Sequence, residues 1–401
     1  AGYHAAMTKP GPNRHVSALI IRAASPGLLA SLGLLASLGL SACGGGAEGE
    51  HGGGHGPAGF ESHLGGLPPA KPKAPAIDAD ALRQRAAKEF GKLPEQFVKP
   101  SNPLSDDKIA LGRMLYFDKR LSKNQEISCN SCHVLSDYGV DSMATSPGHK
   151  GQLGDRNSPT VYNAAGHLAQ FWDGRAADVE AQAKGPVLNP VEMAMASEDS
   201  VVAVLKSIPG YVETFTKVFP GEDPVTYDNM ANAIGAFERK LVTPAPIDKF
   251  LAGDNTALSP EALAGLQLFL DTQCVTCHNG YGLGGGMYQK LGSVKPWEGV
   301  ADVGRFAVTN DDRDKQVFKV PGLRNIDKTG PYLHDGSIQA LPDMVAKMVE
   351  HQTNRSGPLS ADEMTQMLAF LGALTGELPT DYIAEPKLPD NGPETPAPDP
   401  S

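Results

Sequence analysis

Apolar residues return at intervals of three and four along most of the chain. The sets Ala81, Leu82, Ala86, Phe90; Ile109, Leu111, Leu115; Val201, Val204, Leu205, Ile208; and Met230, Ala233, Ile234, Phe237 each fall on one face of a 3.6-residue helix. Strand-like alternation is scarce, so the pattern predicts an all-α body. Asp106 ahead of Lys108-Ile109 predicts one helix start, and Ser259-Pro260-Glu261 predicts another, a capping serine before a first-turn proline. Both helices lead to a pair of cysteines. Leu111-Gly112-Arg113-Met114-Leu115-Tyr116-Phe117 precedes Cys129, and Ala264-Gly265-Leu266-Gln267-Leu268-Phe269 precedes Cys274. The shared Gly-X-X-Leu-aromatic string predicts two copies of one structural unit.

Outside this body the pattern fades. From Met7 the chain carries Lys9, Arg14 and Arg22 and then an apolar run from Pro26 to Leu40, with no acidic residue before Cys43. That is the layout of an export signal, too short to span a bilayer comfortably. Leu40-Ser41-Ala42-Cys43 resembles a bacterial lipobox, which makes Cys43 the expected lipidated first residue and residues 1–42 a lipoprotein-type signal peptide. Residues 43–80 are rich in Gly, His and Pro and read as a disordered, flexible tether. His51, His55 and His63 within it keep no metal-ligand spacing and are assigned no role. Residues 386–401 are rich in Pro and acid and read as a disordered tail.

Composition removes whole classes of function. The 401 residues carry 46 acidic and 35 basic side chains, a net charge of −11, which excludes a nucleic-acid binder built on a basic surface. The length suits two or three domains. Glycine and proline, 45 and 33 residues, demand long loops. Five cysteines are too few for a disulfide framework in so long a chain, and four of them fall into two close pairs.

Those pairs read Cys129-Asn130-Ser131-Cys132-His133 and Cys274-Val275-Thr276-Cys277-His278. Cys-X-X-Cys-His is the attachment pattern of heme c. Two thiols one turn apart can bond the two vinyl groups of the porphyrin, while the adjacent imidazole reaches the iron. A structural zinc would want the second pair about 15 to 20 residues away, and a redox-active dithiol would want a βαβ setting. Neither is present, and two such pentapeptides in an exported chain point to two covalent hemes.

The far side of each iron decides its chemistry, since methionine raises the potential and an open position admits a small ligand. After the first pair the candidates are His149 and His167. After the second, Met344, Met348 and His351 share one helical face. Residue pattern alone does not choose among them, and a stripe of methionine is more often core filling than ligand.

Further strings carry a resemblance. Ser146-Pro147-Gly148-His149, Arg156-Asn157-Ser158-Pro159-Thr160-Val161-Tyr162-Asn163-Ala164, Phe171-Trp172-Asp173-Gly174-Arg175-Ala176, Gln182-Ala183-Lys184-Gly185-Pro186, Asn189-Pro190-Val191-Glu192-Met193 and Gly330-Pro331-Tyr332-Leu333-His334-Asp335-Gly336-Ser337 occur in this order. Together they resemble the bacterial diheme cytochrome c peroxidase family over about Ala81 to Tyr382. The resemblance implies two cytochrome c-like heme domains packed together with long loops: a peroxidatic domain over 81–248 and an electron-transfer domain over 249–385. It implies a first heme with His133 proximal and His149 as a distal ligand that must leave, and a second with His278 proximal and Met348 distal. It also implies Trp172 as an electron relay, Glu192 as the catalytic carboxylate, Gln182 orienting peroxide, and calcium at Asn157, Thr329 and Pro331.

The implied reaction reduces hydrogen peroxide with electrons from a small periplasmic c-type cytochrome or cupredoxin, in a homodimer anchored to a membrane through Cys43. Two other functions share the pentapeptides. One is oxidation of a partner protein during maturation of a quinone cofactor, whose enzymes carry tyrosine where Met348 stands. The other is a non-enzymatic diheme electron carrier, which has no need of Glu192.

Overall fold

The computed structural model describes residues 77–401; the expected export signal, Cys43 and most of the expected tether lie outside the described residues. The described chain is helical with one two-stranded sheet. In order come α1 (Ala79–Phe90), α2 (Asp106–Phe117), α3 (Cys129–Cys132), α4 (Val179–Leu188), α5 (Glu198–Lys206), α6 (Pro209–Val218), α7 (Tyr227–Glu238), α8 (Pro246–Leu251) and α9 (Pro260–Asp271). After them come β1 (Tyr288–Lys290), α10 (Phe306–Thr309), β2 (Val317–Lys319), α11 (Leu341–Gln352), α12 (Ala361–Gly372) and α13 (Thr380–Ile383). The strands pair antiparallel, with Gln289 opposite Phe318. Among the described residues no helix is long and apolar enough to cross a membrane.

The expected helix starts hold. Ser259 accepts from the Ala262 amide at the head of α9, and Ser105, one residue before the expected Asp106, caps α2 through the Lys108 amide.

Two hydrophobic clusters form, and each is built on the same helix crossing. In the first, α2 lies against α7; in the second, α9 lies against α12. A Cβ at Gly112 would meet the Ala233 carbonyl oxygen at 1.8 Å, and one at Gly265 would meet that of Gln366 at 1.9 Å. Phe237 and Phe370 stand four residues after those oxygens, at 3.0 and 2.8 Å from the same two points. The shared glycine therefore marks the place where each helix touches its partner backbone to backbone.

The ends of the chain do not respect the expected boundaries. α1 was assigned with the first heme domain, yet Leu82, Ala86 and Phe90 are buried in the second cluster, where Phe90 and Phe269 lie 6.2 Å apart. Conversely α13 gives Ile383 to the first cluster, and Tyr382 stacks on Phe237 at 5.1 Å. An amphipathic helix goes where its apolar face finds a cover, and here the cover lies far along the chain.

The proline-rich segment after 385 is likewise not free. Arg120 donates to the Pro389 carbonyl (2.9 Å) and to Asn391, Thr395 bonds Ser207, and the Asp399 amide donates to the Lys123 carbonyl (2.9 Å). Its composition denies it a core of its own, but its polar groups find partners on the first cluster's surface.

One buried ion pair fixes α4 to this frame. Glu180 takes both Arg239 nitrogens at 2.8 Å and the Asn102 amide at 2.9 Å. Despite its burial, these donors hold its carboxyl well below the usual range.

Two stability predictions follow from these contacts. Gly265→Ala should cost about 1–3 kcal/mol by forcing α9 from α12, whereas Gly372→Ala, at a helix position with open space, should gain up to about 1 kcal/mol. Thermal unfolding followed at a helix-sensitive wavelength reads both, and equal effects would refute the crossing argument. Glu180→Gln should cost about 3–5 kcal/mol at neutral pH by leaving Arg239 buried and unpaired. Because the folded carboxyl is depressed, that stability is present above about pH 4.5 and is lost as the pH falls toward 2. The Gln variant should therefore flatten the acid limb of the stability curve.

Candidate functional site

The first pentapeptide forms a single helical turn. Ser128 and Ser131 cap it reciprocally, and the His133 amide closes it on the Cys129 carbonyl at 3.0 Å. Tyr116 of α2 donates to the His133 carbonyl at 2.9 Å, and Tyr162 to that of Leu135 at 2.8 Å, so the loop after the turn is held by two buried phenols. Burial pushes the Cys129 thiol up to about 12 and the Cys132 thiol to about 11.

Facing this turn are two loops that touch each other. The His149 amide donates to the Glu192 carbonyl at 2.8 Å, and a Cβ at Gly148 would strike the Val191 oxygen at 1.9 Å. His149 is buried on a three-residue 3-10 turn. Its Nδ1 and that of His133 are both buried with no partner among the described residues. Glu192 is half-buried; burial raises its carboxyl above the ordinary value, against the pull of Arg175 and the Asn189 amide. Arg175 in turn stacks on Phe171 at 3.5 Å. Gln182 sits half-buried on α4, the helix that runs into the Glu192 loop, and its side-chain amide bonds nothing among the described residues.

The second pentapeptide opens onto a mostly apolar cavity of about 230 Å³. Cys274, Cys277 and His278 line one side of it, Met344 and Met348 of α11 another, and Phe269, Phe318 and Leu371 much of the rest. His278 turns its Nδ1 to the Leu283 carbonyl at 3.2 Å, which fixes the ring, and burial lowers it to about 4.

The sequence candidates now separate. His351 shares the helical face of the two methionines but is committed elsewhere: its Nδ1 faces the Lys295 carbonyl at 3.0 Å and its ring lies 4.7 Å from Trp297. His167 does not stand over the first pentapeptide; its Nδ1 pairs with Lys319 at 3.1 Å, on the side of the second. No local pattern marks that pair, whose members are 152 residues apart.

Trp172 lines the second cavity and donates its indole N–H to the Asn157 carbonyl at 3.0 Å. Its segment is anchored by Arg156, which holds Asp173 at 2.6 Å and Asp302 at 2.7 Å. Asn157, Thr329 and Pro331 all line the same cavity.

Two hemes fit these residues. Each site brings two half-buried thiols and a histidine together, histidine nitrogens stand without partners among the described residues at the first, and the second has an apolar cavity lined by sulfur and imidazole. The architecture is that of a two-heme oxidoreductase. Residues 106–256 match the family model described as di-haem cytochrome c peroxidase. The chain is 48% identical to the cytochrome c551 peroxidase of Nitrosomonas europaea over 76% of this chain and 90% of that one. It is 44% identical to the cytochrome c551 peroxidase of Pseudomonas aeruginosa over 81% and 94%. Among solved structures it is similar to a MauG-like protein associated with microbial copper homeostasis, with TM-score 0.66 and 27% identity over 74% and 97%. The chain belongs to the di-haem cytochrome c peroxidase family.

Met344 and Met348 both reach the second cavity, and one substitution distinguishes them. With heme bound, Met348→Ala should lower the potential of the second heme and remove the weak near-infrared band of methionine-ligated ferric iron, while Met344→Ala should keep both. The reverse result would assign the ligand to Met344.

Proposed function

We propose that the protein reduces hydrogen peroxide to water at the first heme with electrons that enter through the second. The observation that carries this reading is the backbone contact between the His149 and Glu192 loops, which joins the segment of a buried histidine on a short turn to that of a carboxyl whose pKa burial raises. Bound heme supplies the iron that takes peroxide and the electrons that split it. The net change is peroxide, two electrons and two protons giving two waters.

The remaining work falls to side chains. His133 and His149, whose buried ring nitrogens have no partner among the described residues, would hold the first heme, and release of His149 would admit peroxide. Glu192 accepts the proton from the near oxygen of peroxide and returns it to the far oxygen as that departs, a task that favours a carboxyl lifted toward the working pH. Gln182 orients the peroxide. Cys129 and Cys132, and Cys274 and Cys277, would hold the two hemes c covalently, and His278 and Met348 would hold the second iron. Trp172 would serve as the electron relay between them. Asn157, Thr329 and Pro331 would hold a calcium ion that keeps the active arrangement.

The two hydrophobic clusters, each with its own pentapeptide, support two cytochrome c-like domains with exchanged end helices. The donor is a small c-type cytochrome or cupredoxin whose basic face suits this acidic chain. The setting is the periplasm, with Cys43 lipidated and the enzyme a homodimer.

Glu192→Gln tests the core of the reading. The variant should keep both hemes and lose peroxide turnover by about 10²- to 10⁴-fold. Turnover within a few-fold of wild type would remove Glu192 from the mechanism.

A further inference from the structure

Lys319, the last residue of β2, is 8% exposed, yet no carboxylate among the described residues lies within ion-pair distance of it. Its single side-chain hydrogen bond runs from Nζ to His167 Nδ1, a neutral acceptor. The other cation lining the same small cavity, Arg324, is fully paired, taking both oxygens of Asp248 at 2.7 and 2.8 Å. Lys319 is thus a buried positive charge left without a counter-charge among the described residues. Burying an uncompensated ammonium is costly, so the fold gains nothing in stability from it. Burial alone pulls its pKa down to about 8, which leaves it charged at neutral pH.

Its position suggests what the charge is for. The Lys319 amide donates to the Trp172 carbonyl at 2.8 Å, and Lys319 and Trp172 line both the large cavity and the small one behind it. A short run of hydrogen bonds links the Lys319 segment to His278. Leu283 takes His278 Nδ1, the Gly285 amide donates to Val320 beside Lys319, and the Gly285 carbonyl accepts from Leu168 beside His167. The charge therefore stands on the proximal side of the second cavity.

We propose that Lys319, held by His167, is a positioning residue whose unpaired charge raises the reduction potential of the second heme. The inference rests on the reading that this cavity holds that heme. Ferric heme carries one more positive charge than ferrous heme. A fixed cation in a low-dielectric surrounding penalises the ferric state more and so favours reduction. The second heme becomes the first to be filled by an incoming electron, which is what an entry site needs.

The test uses the full two-heme protein and its K319M, K319Q and K319R variants. Spectroelectrochemical titration should show the second-heme midpoint shifted to lower potential in K319M and K319Q, with the first heme unmoved and K319R close to wild type. Thermal unfolding should show K319M at least as stable as wild type, since a buried charge is replaced by an apolar side chain of similar length. An unchanged second-heme midpoint in both neutral variants, with both hemes present, would overturn the proposal. A shift of both hemes together would overturn it too, by showing a general structural disturbance. Failure of the underlying reading looks different: mass mapping of heme peptides from wild type would then find no heme on Cys274 and Cys277.

Discussion

The distance between a glycine and a carbonyl oxygen on the next helix governs this architecture. At Gly112 and again at Gly265 the partner backbone passes where a side chain would begin, and both helices lead the chain into a Cys-X-X-Cys-His turn. Because the crossing is backbone to backbone, each pentapeptide starts from a fixed point on a rigid pair. Tyr116, one turn after Gly112, shows the consequence, since its hydroxyl reaches the carbonyl of His133 itself. The packing of helices and the placing of the histidine in the Cys-X-X-Cys-His turn are here one event.

From that common start the two sites diverge in the element that faces each iron. Met344 and Met348 project from a twelve-residue helix whose Val345 and Val349 are buried in the core, so a ligand there moves only with the helix. His149 stands on a three-residue turn between Gly148 and a left-handed Lys150, tied to the Glu192 loop by its backbone amide. On the proposed reading, a fixed ligand serves the heme that only exchanges electrons and a releasable one serves the heme that must admit peroxide. The difference lies in secondary structure as much as in ligand chemistry.

Much of this was legible in the sequence because its signals are local. The capping serine before Pro260, the pentapeptides and the glycine of each repeat all act within a few residues, and all stand where the pattern put them. What the sequence did not disclose is pairing over distance. Helical period alone puts His351 on one face with Met344 and Met348, but only the fold reveals Trp297 and the Lys295 carbonyl waiting for its ring. His167 follows the first pentapeptide in the chain and still faces the second, because Lys319 comes from a strand far downstream. The Pro-rich end has no periodicity to read, and its attachment depends on Arg120 and Lys123, which carry no mark of that role.

The exchanged end helices bear on the order in which the chain can be completed. Synthesis delivers α1 first, but Phe90 has no partner until Phe269 has been made, and Tyr382 reaches Phe237 only when the last residues emerge. Neither cluster closes until nearly the whole polypeptide exists, so the Cys-X-X-Cys-His turns remain in an unfinished chain throughout synthesis. On the proposed reading, a late-closing fold of this kind would keep both thiol pairs within reach of whatever attaches the cofactor, and would shut behind it.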